Sequence, residues 1–230
     1  MRRFWVLLFL VSTMTASLHA GDVIDRVLVV VNNTPILLSD WDEAWRCEAL
    51  LAGRTPESYS EAERQAVFQR LVDQELLRQQ MRTYLLPPVA PEDVQQELKQ
   101  VRSQLSGEND AQWESLLQRT GVTETELTRR LQQQIEVERF VDVRFRAGIR
   151  VTDRSIAQYY RDEFLPALRK AGAKEVPLEE VSGKIREIFV QRQVSDELNG
   201  WIQTLREQAD IQIPPEMSSE TTTSGETQSK

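Results

Sequence analysis

The sequence predicts a mainly α protein with a small β-sheet. Three observations carry this. Long stretches have apolar residues recurring every three or four positions, each opened by a capping signal and closed by proline or glycine. One β-branched run, Val23 to Val31, is bounded by Asn32-Asn33, a turn pair. Charged residues make up 28% of the chain against 40% hydrophobic, a balance suited to solvated amphipathic helices.

The N-terminus has the layout of a secretory signal. Arg2 and Arg3 precede an unbroken apolar run, Phe4 to Val11, and small Ala20 precedes Gly21. The run is shorter than the roughly 20 apolar residues a spanning helix needs. Residues 1–20 are therefore expected to be a cleaved signal peptide, which places the mature chain in the periplasm without stable membrane insertion.

The first strand and a short return strand at Ile36 to Leu38, after Pro35, form a hairpin. Ser39 is the expected N-cap of a helix ending near Leu51, with Gly53 as its stop. Asp40, Asp42 and Glu43 fall in its first turn. A cation site there competes with simple helix-dipole complementation. Ser60 and Glu63 form a capping box opening a helix to about Leu85, stopped by Pro87-Pro88. Pro91 opens the next, with Val94, Leu98 and Val101 inward. A short helix carries Trp113, Leu116 and Leu117 and closes at Thr120-Gly121. Thr123 and Glu126 form a second capping box on a helix to about Phe145. Thr152 caps a helix through Phe164. Lys170 to Lys174 reads as a basic loop, and a long helix from Leu178 to about Ala209 leads to a last strand, Ile211 to Ile213. Residues 214–230 are rich in Ser and Thr and are expected to be disordered.

Composition excludes whole function classes. The chain holds 28 basic and 36 acidic residues, a net charge of −8, one His and one Cys. The His is His19, inside the expected signal peptide, so the mature chain has no imidazole for acid–base, triad or metal chemistry. No cofactor or metal is implied. The acidic balance offers no footprint for nucleic acid. Cys47 lacks a nearby base and reads as a small buried hydrophobe. Asp73 and Glu75 stand two apart on a helix and make a poor catalytic pair. The basic loop, with Arg169, Lys170 and Lys174, is either a docking point for an acidic partner or a solvated connection.

Four stretches together resemble the chaperone core of the SurA-type periplasmic foldases, relatives of the parvulin-type peptidyl-prolyl isomerases. They are VIDRVLVVVNNTPILLSDWD (Val23 to Asp42), LVDQELLRQQ (Leu71 to Gln80), IRVTDRSIAQYYRDEF (Ile149 to Phe164) and the closing stretch from Val176 to Ile213. The resemblance implies a SurA/trigger-factor-like helical chaperone domain over residues 21–213, with an N-terminal part at 21–164 and a closing helix and strand at 176–213. It implies that the C-terminal strand returns to the N-terminal hairpin. In that family parvulin domains are inserted after the segment matching Val151 to Phe164. Here only Leu165 to Glu175 intervenes, too short for a domain of about 50 residues. The expected function is a periplasmic holdase without prolyl isomerase activity, its partners unfolded polypeptides of the outer membrane. The alternatives are an isomerase-related foldase and a non-catalytic accessory subunit acting through dimerisation. Tyr84, Trp113 and Phe140, large side chains on different helices, are the candidate lining of a client groove. Ordinary core packing is the competing reading for each.

Overall fold

The structure, a computed structural model, describes residues 25–107 and 109–214. The expected signal peptide and nearly all of the Ser/Thr-rich tail lie outside the described residues. The chain is mainly helical, with one three-stranded antiparallel sheet in the order β2-β1-β3.

Strands β1 (Val27–Val31) and β2 (Thr34–Leu37) flank a two-residue turn. Asn32 and Asn33 adopt φ of 47° and 69°, left-handed values that Asn tolerates better than most residues. A bulge between Val27 and Val29 shifts the register, and Leu28 and Val29 are both buried. The C-terminal strand β3 (Ile211–Gln212) lies antiparallel to β1, with Val30 opposite Gln212 and Val31 opposite Ile211. The closure that the resemblance implies is therefore present. Asn32 fastens it: its N–H donates to the Asp210 carbonyl and its Oδ1 accepts from the Asp210 N–H, both at 2.9 Å. Residues 23–24 of the expected strand lie outside the described residues. Asp25 and Arg26 precede the ladder and hold the start of α1 instead.

Helix α1 (Leu38–Leu51) starts earlier than expected. Ser39 is not its cap. Its hydroxyl donates to Asp25, and the carboxylate of Asp40 accepts the Leu37 N–H at 2.8 Å. Helix α2 (Glu61–Met81) opens with the predicted capping box, in which Glu63 accepts the Ser60 N–H at 2.7 Å. It ends before Leu85 because the chain tightens through Thr83 and Tyr84, whose N–H groups donate to Gln80 and Met81. This turn sends the Tyr84 ring against Phe140 and leaves Leu85 fully exposed.

Helices α3 (Pro91–Ser106), α4 (Asp110–Thr120) and α5 (Glu124–Arg144) follow, with the Thr123–Glu126 capping box opening α5. Helix α6 (Asp153–Tyr159) does not end at Phe164. It runs through a π-helical turn, Tyr160–Phe164, into α7 (Leu165–Lys170). Arg169 and Lys170 thus end a helix rather than sit in a loop, and Arg169 pairs with Glu175 at 2.7 Å. The last helix, α8, spans Leu178–Gln208.

Apolar burial gathers in three clusters. The first joins the sheet to α1, α2, Phe140 and the end of α8. The second lies on the other face of α1, against α3, α4 and α5, around Leu50, Leu98, Trp113 and Leu127. The third has only Ile156, Val181 and Ile185 buried, between α6 and the start of α8. No helix among the described residues is long and apolar enough to cross a membrane.

Candidate peptide-binding groove

Helices α2 and α5 pack against each other and against α1, and their outer faces leave a trough. Glutamines help make this so: Gln74 on α2 and Gln133 and Gln134 on α5, which line it, cannot be drawn into an apolar core without unpaired amides. Three adjoining concavities of about 320, 340 and 270 Å³ lie along the trough, with Arg78 on the wall of all three.

The first concavity has an apolar floor of Leu51, Met81 and Val137 beneath Gln74, Gln133 and Gln134. The second reaches toward the hairpin, past Thr34, Pro35 and Ile36, and is lined by charge. The third passes Tyr84 and Leu86 to Pro87-Pro88. Apolar patches beside amides and guanidinium groups suit an extended polypeptide. The patches take side chains, while the polar groups meet main-chain N–H and C=O groups that would otherwise lose their water partners.

The charges around the trough are mostly spoken for. Glu75, 2% exposed, accepts from Arg78 and from the Gln79 amide, the latter at 2.9 Å. Gln79 in turn donates to the Val31 carbonyl at 3.0 Å and so ties α2 to the hairpin turn. Glu43 pairs with Arg129, and Glu48 with Arg70. Burial pulls the Arg130 guanidinium below the usual arginine range. Cys47 lies just behind, its thiol pushed up to about 11 by burial and then by Glu43, so it is neutral and a poor nucleophile.

The sequence candidates fall in different places. Tyr84 is a half-buried wall residue of the third concavity. Phe140 is fully buried behind it, ring centroids 4.9 Å apart and edge-on. Trp113 is 2% exposed in the second core, its indole N–H donating to Glu124 at 3.0 Å. Core packing accounts for Phe140 and Trp113, because the helical stripes that carry them face inward. The structure brings Tyr84 and Phe140 together and leaves Trp113 apart. The sequence reading missed Met81, Val137, Arg130 and Gln133, although the run Gln132 to Gln134 was a visible signal. Asp42 pairs with Arg46 at 2.9 Å and Asp73 with Arg206, so the first-turn acids and the spaced pair on α2 have structural roles. Among the described residues no group of three His, Cys, Asp or Glu side chains is placed to hold a metal ion.

A family model described as the SurA-like N-terminal domain matches residues 3–141, more than half of the chain. No curated protein matches it.

Proposed function

The chain belongs to the SurA-like N-terminal domain family, and from that premise we propose that it is a periplasmic holdase for unfolded outer-membrane polypeptides that does not itself isomerise prolyl bonds. The observation that carries the reading is the trough between α2 and α5, an open apolar floor with amide walls. A client aromatic or aliphatic side chain seated there gains roughly 1.5–3 kcal/mol. Several such contacts, each weak, lower the free concentration of the unfolded chain while leaving capture reversible. Strands destined for outer-membrane barrels alternate apolar and polar residues, a period that an apolar floor with polar walls can read in extended form.

The non-enzymatic part rests on different grounds. A prolyl bond rotates over a barrier of roughly 20 kcal/mol. The residues after Phe164 form a two-turn helix and a short connection to Pro177. The single histidine is His19, in the expected signal peptide.

The test is suppression of aggregation of a urea-diluted outer-membrane polypeptide. The native protein should protect it, and Val137→Glu or Met81→Glu should weaken protection at least about tenfold, as expected when a charge replaces a floor residue. The exposed Gln95→Glu, on α3, should behave as the native protein. Full protection by the floor variants, or none by the native protein, would sink the holdase reading. Catalysed cis/trans exchange of a proline peptide by the pure protein would sink the non-enzymatic part.

A further inference from the structure

We propose that Arg130 is a specificity-determining residue of the trough and that it binds the terminal carboxylate of a client polypeptide. This deepens the holdase reading and rests on it. Arg130 lines both the 320 Å³ and the 340 Å³ concavities, at their junction. It is partly buried, and among the described residues it makes no hydrogen bond, ion pair or ring contact. The other partly buried arginines each bind a carboxylate.

Three carboxylates near Arg130 are paired with other arginines, and Asp40, on the wall of the second concavity, accepts the Leu37 N–H. Glu43 is held by Arg129, Glu48 by Arg70 and Glu75 by Arg78. Arg78 and Arg129 stand on the same walls, each neutralised by its own glutamate. Arg130 feels the charges of Glu48 and Glu43 at a distance but has no carboxylate in direct contact, and a partly desolvated guanidinium gains from one. The trough therefore has a vacancy for one anionic group at this point.

The surroundings choose which anion. The floor beside Arg130 is apolar, built by Leu51, Met81 and Val137. An interior Asp or Glu would bring its carboxylate in place of an apolar side chain. A chain terminus carries both on one residue, the carboxylate for the guanidinium and the side chain for the floor. The opposite end of the same concavity is lined by Glu136 and Glu138. At 1.5 Å per helical residue these stand about 10 Å away along α5, the length of three extended residues. They disfavour a second carboxylate there. A client thus lies with its terminus at Arg130 and its chain leaving past Met81 toward Pro87-Pro88.

The experiment compares an N-terminally labelled, alternating apolar–polar peptide ending in leucine, as free acid and as amide, by fluorescence anisotropy. The native protein should bind the acid about tenfold more tightly than the amide, as expected for one charge-assisted contact. Arg130→Gln should bind both forms with the affinity the native protein has for the amide. Arg130→Lys should recover part of the preference, as a point charge without the fork. Thermal midpoints of the variants verify folding. Equal binding of acid and amide by the native protein overturns the inference and leaves the holdase reading standing. An amidated peptide with an internal Glu that binds as tightly as the free acid overturns the choice of terminus. Failure of the native protein both to bind either peptide and to protect an unfolded client overturns both.

Discussion

Glu63 shows how much one side chain does at a helix end. It accepts the Ser60 N–H at 2.7 Å and an Arg54 guanidinium N–H at 2.8 Å. The Arg54 hydrogen bond, and then the Ser60 N–H, lower its carboxyl from 4.5 to about 2. A depressed folded value means that the charged form is favoured by folding. The contribution is fully present above about pH 4.5 and is lost as pH falls toward about 2. Glu126 moves in the same direction through the Thr123 N–H. Urea midpoints measured from pH 6 to 2.5 should therefore fall less steeply for Glu63→Gln than for the native chain. A parallel fall would refute this role. Asn32 matters for geometry rather than charge. It bonds Asp210 twice and donates to Gln79 Oε1 at 2.9 Å, with a left-handed backbone. Asn32→Ala loses both side-chain bonds and strains the turn, which predicts a loss of about 1–3 kcal/mol by chemical denaturation. Asn32→Asp, which keeps the acceptor for Asp210, should lose less.

At the level of elements, an aromatic chain joins α2, α5 and α8. Tyr84 meets Phe140, and Phe140 and Phe145 both meet Trp201, with centroids 4.9 to 5.7 Å apart. Phe140, Phe145 and Trp201 hold the back of the trough without lining it, while Tyr84 also walls the third concavity. Phe140→Ala should cost about 3–5 kcal/mol, whereas the milder Phe140→Leu should lower the thermal midpoint yet leave client affinity within about twofold. A large affinity loss in a folded Phe140→Leu protein would return that ring to the binding surface. The helix starts at Ser60 and Thr123 and the stops at Gly53 and Gly121 were legible in the sequence because capping boxes and left-handed glycines are local chemistry. The end of α2 was not, since Tyr84 leaves the helix to reach a ring 56 positions on. The cap of α1 was not, since Ser39 is drawn off by Asp25 from before the hairpin. The π-helical turn after Tyr159 left no pattern, because Tyr160, Phe164 and Leu168 keep the four-residue spacing of an ordinary α-helix. For the trough, periodicity located the aromatics on stripes but gave no sign of which stripes stay open. Arg130 reads as any surface arginine until its neighbouring carboxylates are seen bound to Arg129, Arg70 and Arg78.

The molecule as a whole is unevenly consolidated, and the trough sits on its firm part. Helices α2 and α5 are anchored by the first two clusters, which share α1 between them through Ala44 on one face and Cys47 and Leu50 on the other. The third cluster has only three buried side chains, Ile156, Val181 and Ile185. Partly buried Tyr159, Tyr160, Phe164 and Phe189 pack around it, and its ion pairs are partly exposed, Arg186 with Asp153 inside the arm and Arg146 with Glu187 to the end of α5. Such pairs contribute about 0–1 kcal/mol each. Apolar burial sets the free energy of sub-global opening, so the α6–α7 arm and the first turns of α8 should open well before α2 and α5. Hydrogen exchange should show amides near Ile156 and Ile185 exchanging faster than those near Leu76 and Leu131. A bound client should slow exchange in α2 and α5 and leave the arm unchanged, since the trough is already formed and the arm does not line it. Equal protection of arm and body would mean that one cooperative unit spans all three clusters. Client-induced protection of the arm would place binding on the Phe164 and Phe189 side instead.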